Sequence, residues 1–194
     1  PGPPRPGGKW RPAMATLRRF SPFDLLRFNN VNLDPLTETF TMGFYLQYLA
    51  KWPQYCFNVD APHGRSMGYV LGKAEGSGAP GKLDAGLPWH GHVTAVTVPP
   101  EYRRLGTAHA LMGLLESVSD HEAAWFVDLF VRRSNGVAIS FYESLGYSVC
   151  RHVLGYYSGD EDAYDMRKPL SRDADRRSAV PLPNPIHPEE LEDD

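Results

Sequence analysis

The run Val93-Thr94-Ala95-Val96-Thr97-Val98 leads into Pro99-Pro100 and then into Arg103-Arg104-Leu105-Gly106-Thr107-Ala108. No other stretch constrains the fold as much. Alternating valine and threonine favour an extended strand. Two consecutive prolines end it, because neither has an N–H for the ladder and both fix φ. Beyond the turn, Leu105, Ala108, Met112, Leu115 and Val118 recur every three or four residues and build one apolar helical face. The chain therefore passes from a strand to an amphipathic helix through a short basic corner.

That corner has chemical potential. The first amides of a helix lack intrahelical partners, and the helix dipole adds partial positive charge there. Gly106 carries no side chain to block a close approach, Thr107 and Ala108 are small, and Arg103 and Arg104 add two full charges. Such a tip suits a pyrophosphate. Taken alone, it reads equally well as a solvated basic turn with a permissive glycine. It has neither the Gly-x-Gly-x-x-Gly of dinucleotide folds nor the Gly-Lys-Ser/Thr ending of a P-loop.

Composition narrows the classes. With 194 residues, 42% of them hydrophobic, the chain suits one domain with a sizeable core. A net charge of -3 argues against a general nucleic-acid binder. No apolar run approaches the roughly 20 residues needed to span a bilayer. Two cysteines, Cys56 and Cys150, make no disulfide framework and fit reduced thiols in a cytoplasmic protein.

Read in order, residues 1–13 are rich in Pro, Gly, Arg and Lys and form a disordered leader, with Met14 a possible natural start. Residues 14–170 carry the domain. A strand is expected over Thr16 to Phe20, and Ser21-Pro22-Phe23-Asp24 signals a helix start. A polar loop with single apolar anchors runs from Asn29 to Phe40, and a second helix is expected over Gly43 to Trp52, ended by Pro53. That helix is apolar on more than one face, so it is buried against its own core or a partner. Strands follow at Tyr55 to Asp60 and Met67 to Ala74, then a Gly/Ala/Pro-rich loop over Gly76 to Pro88. After the central strand and helix come a strand at Trp125 to Val131 and a helix opening near Ser134-Asn135, which Gly146 closes. Tyr147 to Tyr157 and Ala163 to Lys168 pair as a final hairpin. Residues 171–194 form a charged, proline-containing tail, disordered or docked on a partner.

This order of elements, with two motifs, resembles the GNAT acetyltransferase fold. The first motif is Arg103-Arg104-Leu105-Gly106-Thr107-Ala108, similar to the family's Gln/Arg-x-x-Gly-x-Gly/Ala signature. The second is Asn135-Gly136-Val137-Ala138, then Tyr142 and Leu145-Gly146-Tyr147, similar to its Asn-x-x-Ala…Tyr…Leu-Gly-Phe/Tyr helix. Further stretches resemble the catalytic subunits of NatB-type N-terminal acetyltransferases. They include Arg27 to Thr39, Phe44 to Leu49, Trp89 to Ala95, Asp128 to Arg132 and Asp160 to Lys168. Phe40 stands where that resemblance leads one to expect tyrosine. The resemblance implies an α/β (α+β) fold, a mixed central sheet of about seven strands flanked by about four helices.

It also implies a reaction: an α-amine attacks the thioester of acetyl-CoA, with no metal. The implied donor site comprises Val96, Val98, Arg103, Arg104, Leu105, Gly106, Thr107, Ala108, His109 and Asn135, with Tyr142 protonating the leaving thiolate. Glu38, Phe40, His92, Thr94, Ala95, Tyr156 and Tyr157 would form the peptide site. His92 (through a water), or Tyr156 and Tyr157 at the end of the late strand, are the candidate bases. The implied substrates are nascent chains starting Met-Asp, Met-Glu, Met-Asn or Met-Gln, whose second side chains all carry a carbonyl oxygen. His92 and Thr94, at i and i+2 of one strand, are the expected hydrogen-bond donors to it. The implied partner is a large helical-repeat (TPR-type) auxiliary subunit that reaches the ribosome. No direct nucleic-acid or membrane contact is expected. Two other readings stay open: a GNAT enzyme acting on lysines or small amines, and a non-catalytic acyl-CoA-binding subunit.

Overall fold

The valine- and threonine-rich run starting at His90 becomes the central strand because it has an apolar layer to fill on each of its faces. The computed structural model describes residues 15–33, 37–76 and 87–191. In chain order the elements are β1 (Thr16–Arg19), α1 (Met42–Lys51), β2 (Phe57–Asp60), β3 (Ser66–Glu75) and β4 (His90–Thr97). They continue as α2 (Thr107–His121), β5 (Phe126–Arg132), α3 (Gly136–Ser144), β6 (Ser148–Tyr157) and β7 (Glu161–Pro169). One seven-stranded sheet runs β1-β2-β3-β4-β5-β7-β6. Every pair is antiparallel except β4–β5. The mixed α/β architecture expected from the sequence is the one observed. The leader, residues 34–36 and most of the loop after β3 lie outside the described residues.

The helices differ from expectation in one place. Three are α-helices among the described residues, and the helix expected after Ser21 is a short 3-10 segment, Pro22–Leu26. Its start signal is real: the Ser21 amide donates to Asp24 Oδ2 at 2.7 Å. Arg27 then leaves helical geometry (φ -128°) before Asn29-Asn30. One turn never repays the cost of nucleating an α-helix. Asp24 is held instead by a two-pronged bond from Arg18 at 2.7 and 2.8 Å.

Two apolar clusters sandwich the sheet. Leu111, Met112 and Leu115 of α2 pack with Val70, Val93, Val127 and Leu129, and Tyr142 of α3 joins them. On the other face Tyr45, Tyr48 and Leu49 of α1 pack with Phe20, Phe28, Tyr69 and Leu71. The second helix of the sequence reading is therefore buried by its own chain on one side, while Met42 and Leu46 stay exposed on the other.

Two irregularities in β4 shape the site. Leu71 pairs with Ala95 but Gly72 with Val93, so Thr94 is an extra residue, a β-bulge. The bulge reverses the strand's alternation: Val93 and Val96 face the α2 cluster, and Ala95 faces the α1 cluster. Also, β4 and β5 pair only from Gly91↔Val127 to Val93↔Leu129. Beyond that point the strands part, and a cavity of about 140 Å³ occupies the gap. Backbone groups of residues 94–97 that point away from β3 therefore face open space rather than a ladder partner.

The segment after β7 lies on its own domain. Asp173 accepts the amides of Arg177 and Ser178, both at 2.9 Å. Leu182 N–H donates to Cys150 O, and Ile186 exchanges bonds with His152 and Leu154, extending the β6 edge.

Candidate active site

The corner between β4 and α2 is built as a cradle. Arg104 has φ 64° and Gly106 φ 80°, so two left-handed residues turn the chain within three positions. A Cβ on Gly106 would meet nothing within 4 Å, so the space above it is open. Helical bonding begins with Ala110 N–H to Gly106 O at 3.0 Å, and the amides before it point out of the helix tip. Upstream, Gly68 lets β3 close on this corner, because a Cβ there would lie 2.7 Å from the Thr97 carbonyl oxygen.

Not every residue of the motif contributes a side chain. Arg103, Arg104, Gly106, Thr107, Ala108 and His109 line a 240 Å³ cavity with Val98 and Phe141. Thr107 is buried against Gly68, and Leu105 packs into the α2 cluster. Both therefore act through the backbone alone. Arg103 donates from Nε to the Val98 carbonyl at 3.1 Å, which ties it to the end of β4. Arg104 is exposed.

From the cradle a continuous groove runs inward. Val98, Arg103, Ala108 and Phe141 are shared with a second cavity of 310 Å³, lined also by Val96, Asn135, Val137 and Tyr142. This one in turn shares Val96, Asn135, Ala138 and Tyr142 with the cavity between β4 and β5. Asn135 caps α3, its Oδ1 accepting the Ala138 amide at 3.1 Å, which leaves its NH₂ group for the groove. Tyr142 is buried at the junction, and burial alone pushes its hydroxyl well above the usual tyrosine range. It stays protonated at any ordinary pH.

Past Tyr142 the groove opens into a slot of 490 Å³ formed by Glu38, Phe40, Phe44, Tyr48, His92, Thr94, Tyr156 and Tyr157, among others. Phe40 stacks on Phe44 with ring centres 4.3 Å apart, and Phe44 on Tyr48 at 4.6 Å. These three rings make an apolar wall. Glu38 does not stand free: Arg132 grips it with one guanidinium nitrogen and Glu161 with the other, at 2.6 Å for Glu161. The same guanidinium lies 4.1 Å above the Tyr157 ring. Tyr157 lines both the slot and the central cavity and donates its hydroxyl proton to the Phe130 carbonyl at 3.1 Å, so its oxygen lone pairs remain. Tyr156 stacks on Phe130 farther out, and it lines the slot but not the central cavity. Burial pushes its hydroxyl up to about 12. Neighbours in sequence, the two tyrosines share one slot because β6 slips register between Val153 and Tyr157.

His92 and Thr94 do meet in the slot, but their chemistry differs from the expectation. Thr94 Oγ1 donates to Tyr48 Oη at 2.9 Å, so its proton is engaged and the free donor is the Tyr48 hydroxyl. His92 Nδ1 lies 2.8 Å from Asp128 Oδ1, directly across the parallel ladder. Asp128 is buried, which by itself would raise its carboxyl. The imidazoles of His92 and His90 more than offset that and hold it at about 2. In the sequence Asp128 figures only as part of a stretch resembling NatB-type subunits, and nothing local marks Tyr48, Arg132 or Thr37. A carboxylate at mid-strand among apolar residues was the available signal for Asp128.

Comparison with known proteins agrees with this geometry. The Acetyltransferase (GNAT) family model matches residues 25–147. The N-terminal acetyltransferase B complex catalytic subunit NAA20 of Arabidopsis thaliana is 58% identical over 182 residues, 93% of this chain and 100% of that protein. The crystal structure of Chaetomium thermophilum Naa20 in complex with a bisubstrate analogue has a TM-score of 0.83 at 47% identity, covering 91% of this chain and 98% of that one. A structure of the NatB acetyltransferase complex bound to a bisubstrate inhibitor superposes with a TM-score of 0.76 at 38% identity, over 91% of this chain and 98% of that one. At these identities and coverages the chain belongs to the GNAT acetyltransferase family and, within it, to the N-terminal acetyltransferase B complex catalytic subunits.

Proposed function

We propose that this protein transfers acetyl from acetyl-CoA to the α-amino group of chains starting Met-Asp, Met-Glu, Met-Asn or Met-Gln. The observation that carries the reading is the unbroken groove from the Arg103–His109 cradle, past Tyr142, to the slot at His92. Acetyl-CoA supplies the activated thioester. The cradle amides and the two arginines would hold its diphosphate, while Val96, Val98 and the Asn135 amide line the path of the pantetheine arm. Unpaired backbone N–H groups of β4 beyond Val93 are the donors available to an oxyanion.

On the peptide side, Phe40, Phe44 and Tyr48 form the wall for the methionine side chain. His92, Thr94 and Tyr48 face the second side chain. The Tyr157 oxygen, with its own proton given to Phe130, accepts from the incoming amine. An α-amino group ionises near 8 and a lysine near 10.4, so the neutral amine is a few hundred times more abundant at a chain start. Deprotonation then needs only water and a relay past Tyr156, which is itself protonated near neutral pH. Burial raises the Tyr142 hydroxyl, so it is still protonated when the thiolate departs and can donate to it, the proton passing from Tyr142 oxygen to sulfur and returning from solvent afterwards.

The partner surface lies on the opposite side of α1. Phe23, Leu26 and Leu33 are 73, 75 and 79% exposed, and Met42 and Leu46 are exposed on α1, which contacts the Pro22–Leu26 segment. Isolated exposed apolar residues are ordinary, but a cluster of this kind marks an interaction face. It suits the helical-repeat auxiliary subunit, which would place the enzyme at the ribosome in the cytoplasm. The test is a peptide panel with the co-expressed complex. Acetylation of Met-Asp and Met-Asn peptides at the α-amine is expected. Acetylation confined to internal lysines would overturn the assignment.

A further inference from the structure

His92 is held by its neighbours in a way that makes its charge legible to a ligand. Asp128 is buried, and the groups around it hold its carboxyl below the usual range; a carboxylate is an acceptor only, so the His92 nitrogen 2.8 Å away must carry a proton. That consumes Nδ1–H. The nitrogen left for the slot, Nε2, is therefore a lone-pair acceptor when the ring is neutral and an N–H donor only when the ring is cationic.

Two other donors line the slot, the Tyr48 hydroxyl and the Lys73 ammonium, which stands opposite His92 across the β3–β4 ladder. Lys73 and Glu75 on β3 are paired with each other, and Glu75 Oε1 lies 3.9 Å from His92 Nδ1. His90 on β4 gives its Nδ1 proton to the Pro88 carbonyl and sets Nε2 3.7 Å from Asp128 Oδ2. Arg151 on β6 and Arg167 on β7 both bind Asp165. Tyr156 of β6 and Tyr48 of α1 complete the ring's neighbourhood with hydroxyls that burial keeps protonated.

Taking the slot as the place of the second side chain, as proposed above, we infer that the Asp128-locked His92 discriminates acidic from amide second residues by its charge state. A carboxylate needs the cationic ring, because it can only accept and a neutral Nε2 would face it with a lone pair. A carboxamide is served by both states: its oxygen accepts from the cationic ring and its NH₂ donates to the neutral one. Preference for Met-Asp over Met-Asn therefore falls as pH rises. The substrate aspartate is ionised throughout, with an ordinary pKa of about 3.9. Titration of the α-amine, and any general base shared by both reactions, cancels in the ratio.

The experiment measures kcat/KM for two peptides differing only in Asp or Asn at position two, with the co-expressed complex, from about pH 6 to about pH 9. The Met-Asp to Met-Asn ratio is expected to fall about tenfold, the difference between a charge-assisted and a neutral hydrogen bond. His92→Gln, whose amide donates at every pH, should flatten the ratio while the KM for acetyl-CoA holds. Asp128→Asn should flatten it too, by donating its own N–H to Nδ1 and moving the ring proton to Nε2. Should that buried change prevent folding, His92→Gln still decides the matter. A flat ratio in the unaltered enzyme, or a slope that survives His92→Gln, overturns the inference. Failure to acetylate either peptide at any pH overturns the functional assignment instead.

Discussion

The two ends of the proposed substrate groove are built by different means. At the donor end the Arg103–His109 corner works through its backbone: two left-handed residues and the bare tip of α2, with Thr107 and Leu105 turned inward and Arg104 exposed. At the acceptor end side chains do the work: the His92–Asp128 pair, the Thr94–Tyr48 bond, the Arg132 bridge to Glu38 and the Phe40–Phe44–Tyr48 wall. Backbone recognition is local and depends on small residues. Side-chain recognition is assembled from five strands and helices and depends on register. The first is proposed for a moiety common to every reaction of the family. The second can change with the substrate.

The contrast can be broken in order of effect. Tyr142→Phe sits between the two ends and removes the proton held for the thiolate, so kcat should drop about a hundredfold or more. The KM for acetyl-CoA should hardly move in steady-state kinetics; a full-rate variant would strip Tyr142 of its role. Next, Arg104→Ala with Gly106→Val forces a β-branched residue to φ 80° and removes a charge. The KM for acetyl-CoA should rise about thirtyfold or more, and an unchanged KM would sink the cradle.

His92→Ala tests the other end. It should reduce kcat/KM for Met-Asp peptides about tenfold, the scale of one lost charge-assisted hydrogen bond. Acetyl-CoA affinity, measured by titration calorimetry, should be preserved; equal loss of both would mean that the ring supports the fold rather than the slot. The smallest effect is expected from Arg104→Ala alone. An exposed side chain contributes little next to a fixed set of amides, so KM should rise only a few-fold and the difference should shrink with added salt. A loss as large as that of the double variant would show that charge, not backbone, dominates the donor end.

How much was legible in advance follows from the same contrast. The element order, the corner at Gly106, the cap at Asn135 and the position of Tyr142 were all readable, since each depends on residues within one or two turns of one another. The Ser21 signal was also read, but its length was misjudged: Arg27 leaves helical geometry and the segment remains a 3-10 turn. At the acceptor end the sequence named His92, Thr94, Tyr156 and Tyr157 and gave them roles, but not the partners that fix their protons. Thr94 was expected to donate to the ligand, yet its proton goes to Tyr48, 46 positions away. The spacing of Tyr156 and Tyr157 suggests opposite faces, and only the slipped register of β6 brings both to one slot.

By itself the sequence determined that a strand must stop at Pro99-Pro100 and a helix must begin beside two arginines, because proline geometry and helix-end amides act over a few residues whatever surrounds them. Only the tertiary structure decided which proton His92 carries, where β4 and β5 part and which hydroxyl remains a donor. Those properties depend on hydrogen bonds between residues tens of positions apart, and a one-residue bulge at Thr94 is enough to change which side chains face the groove.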